Sequence, residues 1–172
     1  MLAALPQARY GHAYEAGCGN GEMTVALAMR CDTVLAADLS AAALRLTDER
    51  LRDAGQRAQV TLERHHLPRD WPGNAVPAFD LIVLSEIAYY LDAEELATLV
   101  TQCNATLAPG GTLMLCHWRA PFQDRRLSTE LVHTAFHASP GLHRLLRHEE
   151  ADFLLEAWSD EGWSVAQREG LG

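Results

Sequence analysis

Five residues constrain this chain more than any others. Gly17-Cys18-Gly19-Asn20-Gly21 lie between a strand-like run, His12 to Ala16, and a helix-like run, Glu22 to Met29. Asp38 closes the next apolar run, Thr33 to Ala37. A strand, a glycine turn, a helix, a second strand and a terminal carboxylate form the half-site of a ribose-bearing cofactor. Without a Cβ, the glycines let the backbone turn tightly and approach a ligand closely. A carboxylate about twenty residues further on can accept hydrogen bonds from both ribose hydroxyls.

The rest of the chain keeps alternating strand and helix. Ser40 is a natural N-cap for a helix from Ala41 to Ala54, which Gly55 stops. Gln59 to Arg64 reads as a third strand, after which His65-His66-Leu67-Pro68 leaves the sheet and Arg69 to Ala78 forms a loop. Phe79 to Leu84 is apolar apart from Asp80, as a strand buried on both faces requires. Asp92 and Glu95 form a capping box for a helix from Ala93 to Leu107, ended by Ala108-Pro109-Gly110-Gly111. Thr112 to Trp118 reads as a strand and Arg125 to Ala138 as a helix. Leu142 to Glu149 and Asp152 to Ser159 read as a terminal hairpin. This alternation predicts an α/β fold with a mostly parallel sheet and helices on both faces.

A length of 172 residues suits a single domain, 1–172, with a substantial core. The net charge of −9 argues against a nucleic-acid or anionic-membrane surface, which needs clustered cations. Only Arg119, Arg125 and Arg126 suggest a local basic mouth, and lysine is absent altogether. Cys18, Cys31, Cys103 and Cys116 show no metal or redox spacing and read as buried thiols, which fits a cytoplasmic protein. His133 and His137 lie four apart on one helix face but lack a third ligand in a matching motif, so no metal site is expected. No apolar run reaches membrane-spanning length, and residues 1–8 lack a secretion signal.

The identity of the cofactor turns on two glutamates. The dinucleotide fingerprint needs a third glycine where this chain has Glu22. Glu15, two residues before the first glycine, conflicts with a pyrophosphate on that turn and suits a cationic group. S-adenosylmethionine carries an ammonium and a sulfonium, and no phosphate.

With these residues in place, the chain from Tyr10 to about Trp158 resembles the class I S-adenosylmethionine-dependent methyltransferases. The resemblance rests on Glu15-Ala-Gly-Cys-Gly-Asn-Gly, Ala37-Asp38-Leu39-Ser40, Phe79-Asp80-Leu81-Ile82-Val83-Leu84-Ser85-Glu86 and Leu107-Ala108-Pro109-Gly110-Gly111. Ser85-Glu86-Ile87-Ala88-Tyr89-Tyr90-Leu91 and His117-Trp118-Arg119 are similar to the nodulation protein S (NodS-like) branch, associated with N-methylation of an amino sugar. The resemblance implies a Rossmann-like, seven-stranded sheet of order 3-2-1-4-5-7-6 with strand 7 antiparallel. It also implies a helical lid before the first strand, most of which the ten or so residues before that strand cannot supply.

Carried over position by position, Gly17, Cys18 and Gly19 line the methionine moiety and Glu15 orders that turn from below. Asp38 takes the ribose hydroxyls and Leu39 packs on the adenine. His66 and Leu67 flank the adenine, and Ser85 contacts the methionine portion. Many relatives place Asp where His66 stands; a neutral imidazole can accept from the adenine amino group, whereas a protonated one cannot. Glu86 reads either as a cap at the edge of the core or as a contact for the acceptor amine. His117 reads either as a structural histidine or as a catalytic or substrate contact. Tyr89, Tyr90 and Trp118 read as packing residues or as walls for a small-molecule acceptor. The expected activity is methyl transfer from S-adenosylmethionine, with S-adenosylhomocysteine as product, to a small-molecule nitrogen. The alternatives are a non-catalytic cofactor-binding protein and, disfavoured by Glu15 and Glu22, an NAD-dependent oxidoreductase.

Overall fold

The computed structural model describes residues 1–73, 78–168 and 170–171. Seven strands form one sheet: β1 (Tyr10–Ala16), β2 (Cys31–Asp38), β3 (Val60–Arg64), β4 (Phe79–Ser85), β5 (Leu107–Trp118), β6 (His143–Glu149) and β7 (Phe153–Ser159). Their order is β3-β2-β1-β4-β5-β7-β6, with β7 antiparallel to both neighbours. Fold class and strand order therefore match the expectation. Residues 74–77 of the expected loop lie outside the described residues.

The β4 sequence shows why helices must cover both sides. Ile82 and Leu84 join a core with Leu96, Leu99, Val132, Phe136 and Trp158. Leu81 and Val83 point the other way, into a core with Leu27, Ala28 and Leu51. The first core is roofed by α3 (Ala93–Thr106) and α4 (Thr129–His137), the second by α1 (Glu22–Ala28) and α2 (Ala41–Asp53). Alternate side chains on a strand face opposite ways, so one apolar run fills both layers. Ser40 caps α2 by accepting from Ala43 N at 3.3 Å. Both halves of the Asp92–Glu95 capping box are formed.

Two local expectations are corrected and one short element is added. Helix α4 begins after Ser128, not at Arg125, because the Ser128 hydroxyl accepts from Leu131 N and sets the N-cap there. Arg125 is spent on loop carbonyls instead, at Leu127 and Arg119. Strand β5 starts at Leu107, so residues 108–111 do not separate helix from strand. Leu107 pairs with Phe79, and the register then slips before Leu81 meets Thr112. Pro109, which has no N–H to donate, sits in that irregular stretch. A short helix, α5 (Val165–Arg168), had no sequence signal. The four cysteines are free thiols. Among the described residues, no helix is long and apolar enough to cross a membrane.

Candidate functional site

Between β1 and β4 the chain reverses the direction in which strands are added, and the loops leaving those strands diverge. Such switch points open a crevice at the carboxyl edge of the sheet. Here it is a cavity of about 540 Å³, bordered by the ends of β1, β2 and β4. Of the expected site residues, Gly17, Gly19, Asp38, Leu39, His66, Leu67, Ser85, Glu86 and Tyr90 line it.

The glycine turn is pinned to β2. Gly17 N and Cys18 N both donate to Ala37 O, at 2.8 and 2.9 Å. Gly17 has φ 78°, and a Cβ there would come within 3.0 Å of Ile87 Cδ1. A Cβ on Gly19, φ 55°, would meet no atom within 4 Å, so that side of the turn is open space beside the cavity. Gly19 N donates to Asp38 Oδ2 at 3.0 Å and Ser40 N to Asp38 Oδ1 at 2.8 Å. Each oxygen thus has accepting capacity left for a hydroxyl.

Glu15 lies beneath this turn, 3% exposed, and its Oε2 has no hydrogen-bond partner among the described residues. Burial pushes its carboxyl up to about 7; the facing Thr24 hydroxyl pulls the other way, and the Asp38 carboxylate adds to the rise. A buried acid held this way is short of one positive neighbour. Cys18 also points away from the cavity. Its thiol is buried against Thr47, and burial raises it to about 12, leaving only its backbone for the turn.

On the β2–β3 side, Leu39 is 53% exposed at the cavity edge. His65 also lines the cavity, and its ring is held from within the protein. Its Nδ1 accepts from the Tyr14 hydroxyl at 3.0 Å, and its Nε2–H donates to Glu63 at 2.9 Å, because a carboxylate can only accept. His66 is exposed, with its backbone N donating to Asp70 Oδ2.

The opposite wall is the turn after β4. Glu86 is the one non-glycine residue among those described with positive φ, 57°. That conformation costs about 1–2 kcal/mol unless its surroundings hold it. Glu86 N donates to Cys116 O at 3.0 Å, and Oε1 accepts from Trp118 N at 2.9 Å. Oε2 accepts from the Tyr89 hydroxyl. The carboxylate is therefore fixed from both ends at the cavity wall.

Tyr89 and Trp118 do not line the cavity. Tyr89 is buried and braces Glu86 from behind, with Tyr90 and Phe122 packed edge-on against its ring. Trp118 contributes its backbone N–H to Glu86, while its ring is exposed elsewhere. His117 is corrected outright as a direct contact: it is fully buried, outside the cavity lining, and both ring nitrogens are hydrogen-bonded inside the protein. The expected basic mouth is not formed either. Arg119 pairs with Glu130 and Glu149, Arg125 is bound by carbonyls, and Arg126 pairs with Asp92 and Glu95.

Sequence reasoning missed Ile87, Leu91 and Glu95 in the wall, where Arg126, expected in a basic mouth, also stands. The apolar run after Glu86 could have marked Ile87 and Leu91. Arg126 meets Glu95 only through folding, 31 residues away.

These residues fit S-adenosylmethionine. The Glu15 oxygen without a partner among the described residues lies beneath the glycine turn, outside the cavity lining, the open flank at Gly19 leaves room, and Asp38 retains capacity for two hydroxyls. Leu39 offers an exposed apolar face for a base.

Residues 14–113 match the methyltransferase domain family. Nodulation protein S of Rhizobium tropici is 30% identical over 115 residues, covering 66% of this chain and 46% of that protein. The ubiquinone biosynthesis O-methyltransferase of Methylococcus capsulatus is 29% identical over 172 residues, covering 93% and 66%. The chain thus spans about half to two thirds of the length of these curated relatives. A solved structure from Pseudomonas syringae, proposed to be a methyltransferase, is 41% identical, with a TM-score of 0.78 over 92% of each chain. The N-methyltransferase NodS from Bradyrhizobium japonicum WM9, solved with S-adenosylhomocysteine, shares the fold at 23% identity, with a TM-score of 0.73 over 87% of this chain and 78% of its own. With more than half its length matched by the family and its seven strands in the order β3-β2-β1-β4-β5-β7-β6, the chain belongs to the class I S-adenosylmethionine-dependent methyltransferases.

Proposed function

We propose that this domain methylates a nitrogen of a small-molecule acceptor, an amine or amino sugar. Glu86 carries the proposal. It is a carboxylate held in a strained backbone conformation at the cavity wall, with each oxygen already accepting one hydrogen bond. When bound, S-adenosylmethionine supplies an electrophilic methyl on its sulfonium. A nitrogen that takes up that methyl gains positive charge, and a preoriented carboxylate favours the charge as it develops. An alcohol would instead need its proton removed, whereas both Glu86 oxygens are already engaged by the Tyr89 hydroxyl and Trp118 N–H. Tyr90, 45% exposed at the same wall, offers a flat face for a sugar or ring. Gly17, Gly19, Asp38, Leu39, His66, Leu67 and Ser85 hold the cofactor, with Glu15 and the Cys18 backbone ordering the turn.

The test is release of S-adenosylhomocysteine from S-adenosylmethionine with a panel of amines and amino sugars beside phenols and alcohols. Turnover on amines is expected, with Glu86→Gln lowering kcat and leaving S-adenosylhomocysteine affinity unchanged. Turnover on hydroxyls alone overturns the nitrogen assignment. Cofactor binding without turnover on any acceptor overturns catalysis by this chain. Thermal stabilisation by NAD and not by S-adenosylhomocysteine overturns the cofactor.

A further inference from the structure

Behind the acceptor wall runs a buried chain of hydrogen bonds that the cofactor site does not use. Ala88 N–H donates to His117 Nε2 at 3.2 Å. His117 Nδ1 meets His133 Nε2 at 3.1 Å, and His133 Nδ1 meets Glu156 Oε2 at 2.8 Å. Arg144 and Arg147 donate to Glu156 Oε1 at 3.0 and 2.9 Å. His117, His133 and Glu156 are 0, 2 and 1% exposed.

The partners fix the direction of every bond. A backbone N–H can only donate, so His117 Nε2 accepts and the proton of that ring sits on Nδ1. His133 Nε2 must then accept it, which places the His133 proton on Nδ1, facing the carboxylate. In this order each ring carries its proton on Nδ1 and accepts at Nε2. An added proton breaks this order: either two donors face each other between the rings, or His117 turns an N–H on Ala88 N–H. Burial holds His117 well below the ordinary imidazole range, and the Arg125 guanidinium pushes the same way. Burial pushes Glu156 up, but His133 and Arg147 more than offset this and hold it low.

Ala88 opens the 3-10 turn Ala88–Tyr90, between Glu86 and Ile87 on one side and Tyr90 and Leu91 on the other, four residues that line the cavity. We propose that His117 and His133 are positioning residues: with Glu156 they hold Ala88 N–H, and through it the acceptor wall from Glu86 to Leu91, in the geometry for methyl transfer. This rests on reading that wall as the acceptor side. The other groups around the chain are Tyr89, edge-on to His117 from the turn, Arg125 from the loop before α4, and Glu130 and His137 on α4. The last two, with Arg144 and Arg147 of β6, border a separate cavity of about 240 Å³ that His133 and Glu156 also line. The outer end of the chain is therefore reached from that side.

The test combines nitrogen-detected NMR of the imidazoles with amide exchange and kinetics. In the wild type, both His117 and His133 should be Nδ1–H tautomers. In His117→Leu, exchange at the Ala88 amide should rise roughly tenfold, the worth of one lost hydrogen bond. Acceptor KM should rise while S-adenosylhomocysteine affinity holds. His117→Gln, which can accept from Ala88 and donate to His133, should restore most of the protection and turnover and flatten the acid limb of the rate profile. An Nε2–H tautomer at His117, unchanged Ala88 exchange, or equal loss of cofactor affinity and turnover each overturn the proposal. Should His117→Leu not fold, the wild-type tautomers and His117→Gln decide it. If the wild type turns over no acceptor, the nitrogen-methylation reading falls, and the tautomers and Ala88 exchange still decide whether the chain fixes this wall.

Discussion

Replacing Glu15 with Gln should change how stability responds to pH. Glu15 is 3% exposed, one of its oxygens has no partner among the described residues, and burial raises its carboxyl from 4.5 to about 7. The folded state therefore holds this proton more tightly than the unfolded state does. Its favourable contribution is full below pH 4.5, falls as pH rises, and is gone above about 7. The gap is worth about 3 kcal/mol. Unliganded wild type minus Glu15→Gln should thus lose about 3 kcal/mol between pH 4.5 and 7 and stay level beyond. Buried His117 pulls the wild-type curve the other way, because a lowered imidazole costs stability as pH falls below 6.5. Subtracting the variant removes that effect, and any packing cost of Gln is a constant offset. Urea unfolding at half-unit pH steps measures the difference. Saturating S-adenosylhomocysteine should abolish its slope, because the ligand ammonium favours the ionised acid. A flat or rising difference without ligand refutes the reasoning, as does a slope that the ligand leaves intact.

Asp38→Ala removes the acceptor shared by Gly19 N and Ser40 N and proposed for ribose; calorimetry should show S-adenosylhomocysteine affinity falling roughly 100-fold. Gly21→Ala places a Cβ 2.9 Å from Thr47 Cα at φ 81°, and denaturant unfolding should show a loss of about 3 kcal/mol. His66→Asp supplies a permanent acceptor at the cavity edge, and calorimetry should show S-adenosylhomocysteine binding severalfold more tightly.

The sequence by itself determined the elements whose signals are local. The glycine turn declares a close approach of backbone, Ser40 and Asp92 declare helix starts, and the apolar run of β4 declares a strand covered on both faces. Asp38 follows from its distance past the glycines, so its place beside Gly17 and Gly19 in one cavity was readable from spacing. Where a local signal was absent or outcompeted, the reading slipped: Ser128 set the start of α4, and pairing with Phe79 drew Leu107 into β5.

Only the tertiary structure decided the wall proposed for the acceptor. Glu86 is held by Trp118 N–H from β5 and Tyr89 from the next turn, and Arg126 reaches the wall by pairing with Glu95. His117 looked like a site residue because it ends a strand at the functional edge. Its ring instead lies on the buried face, where α4 supplies His133 and β7 supplies Glu156. Turns and caps are short-range and leave a mark in consecutive residues. A carboxylate or an imidazole takes its role from whichever distant groups the sheet order places against it.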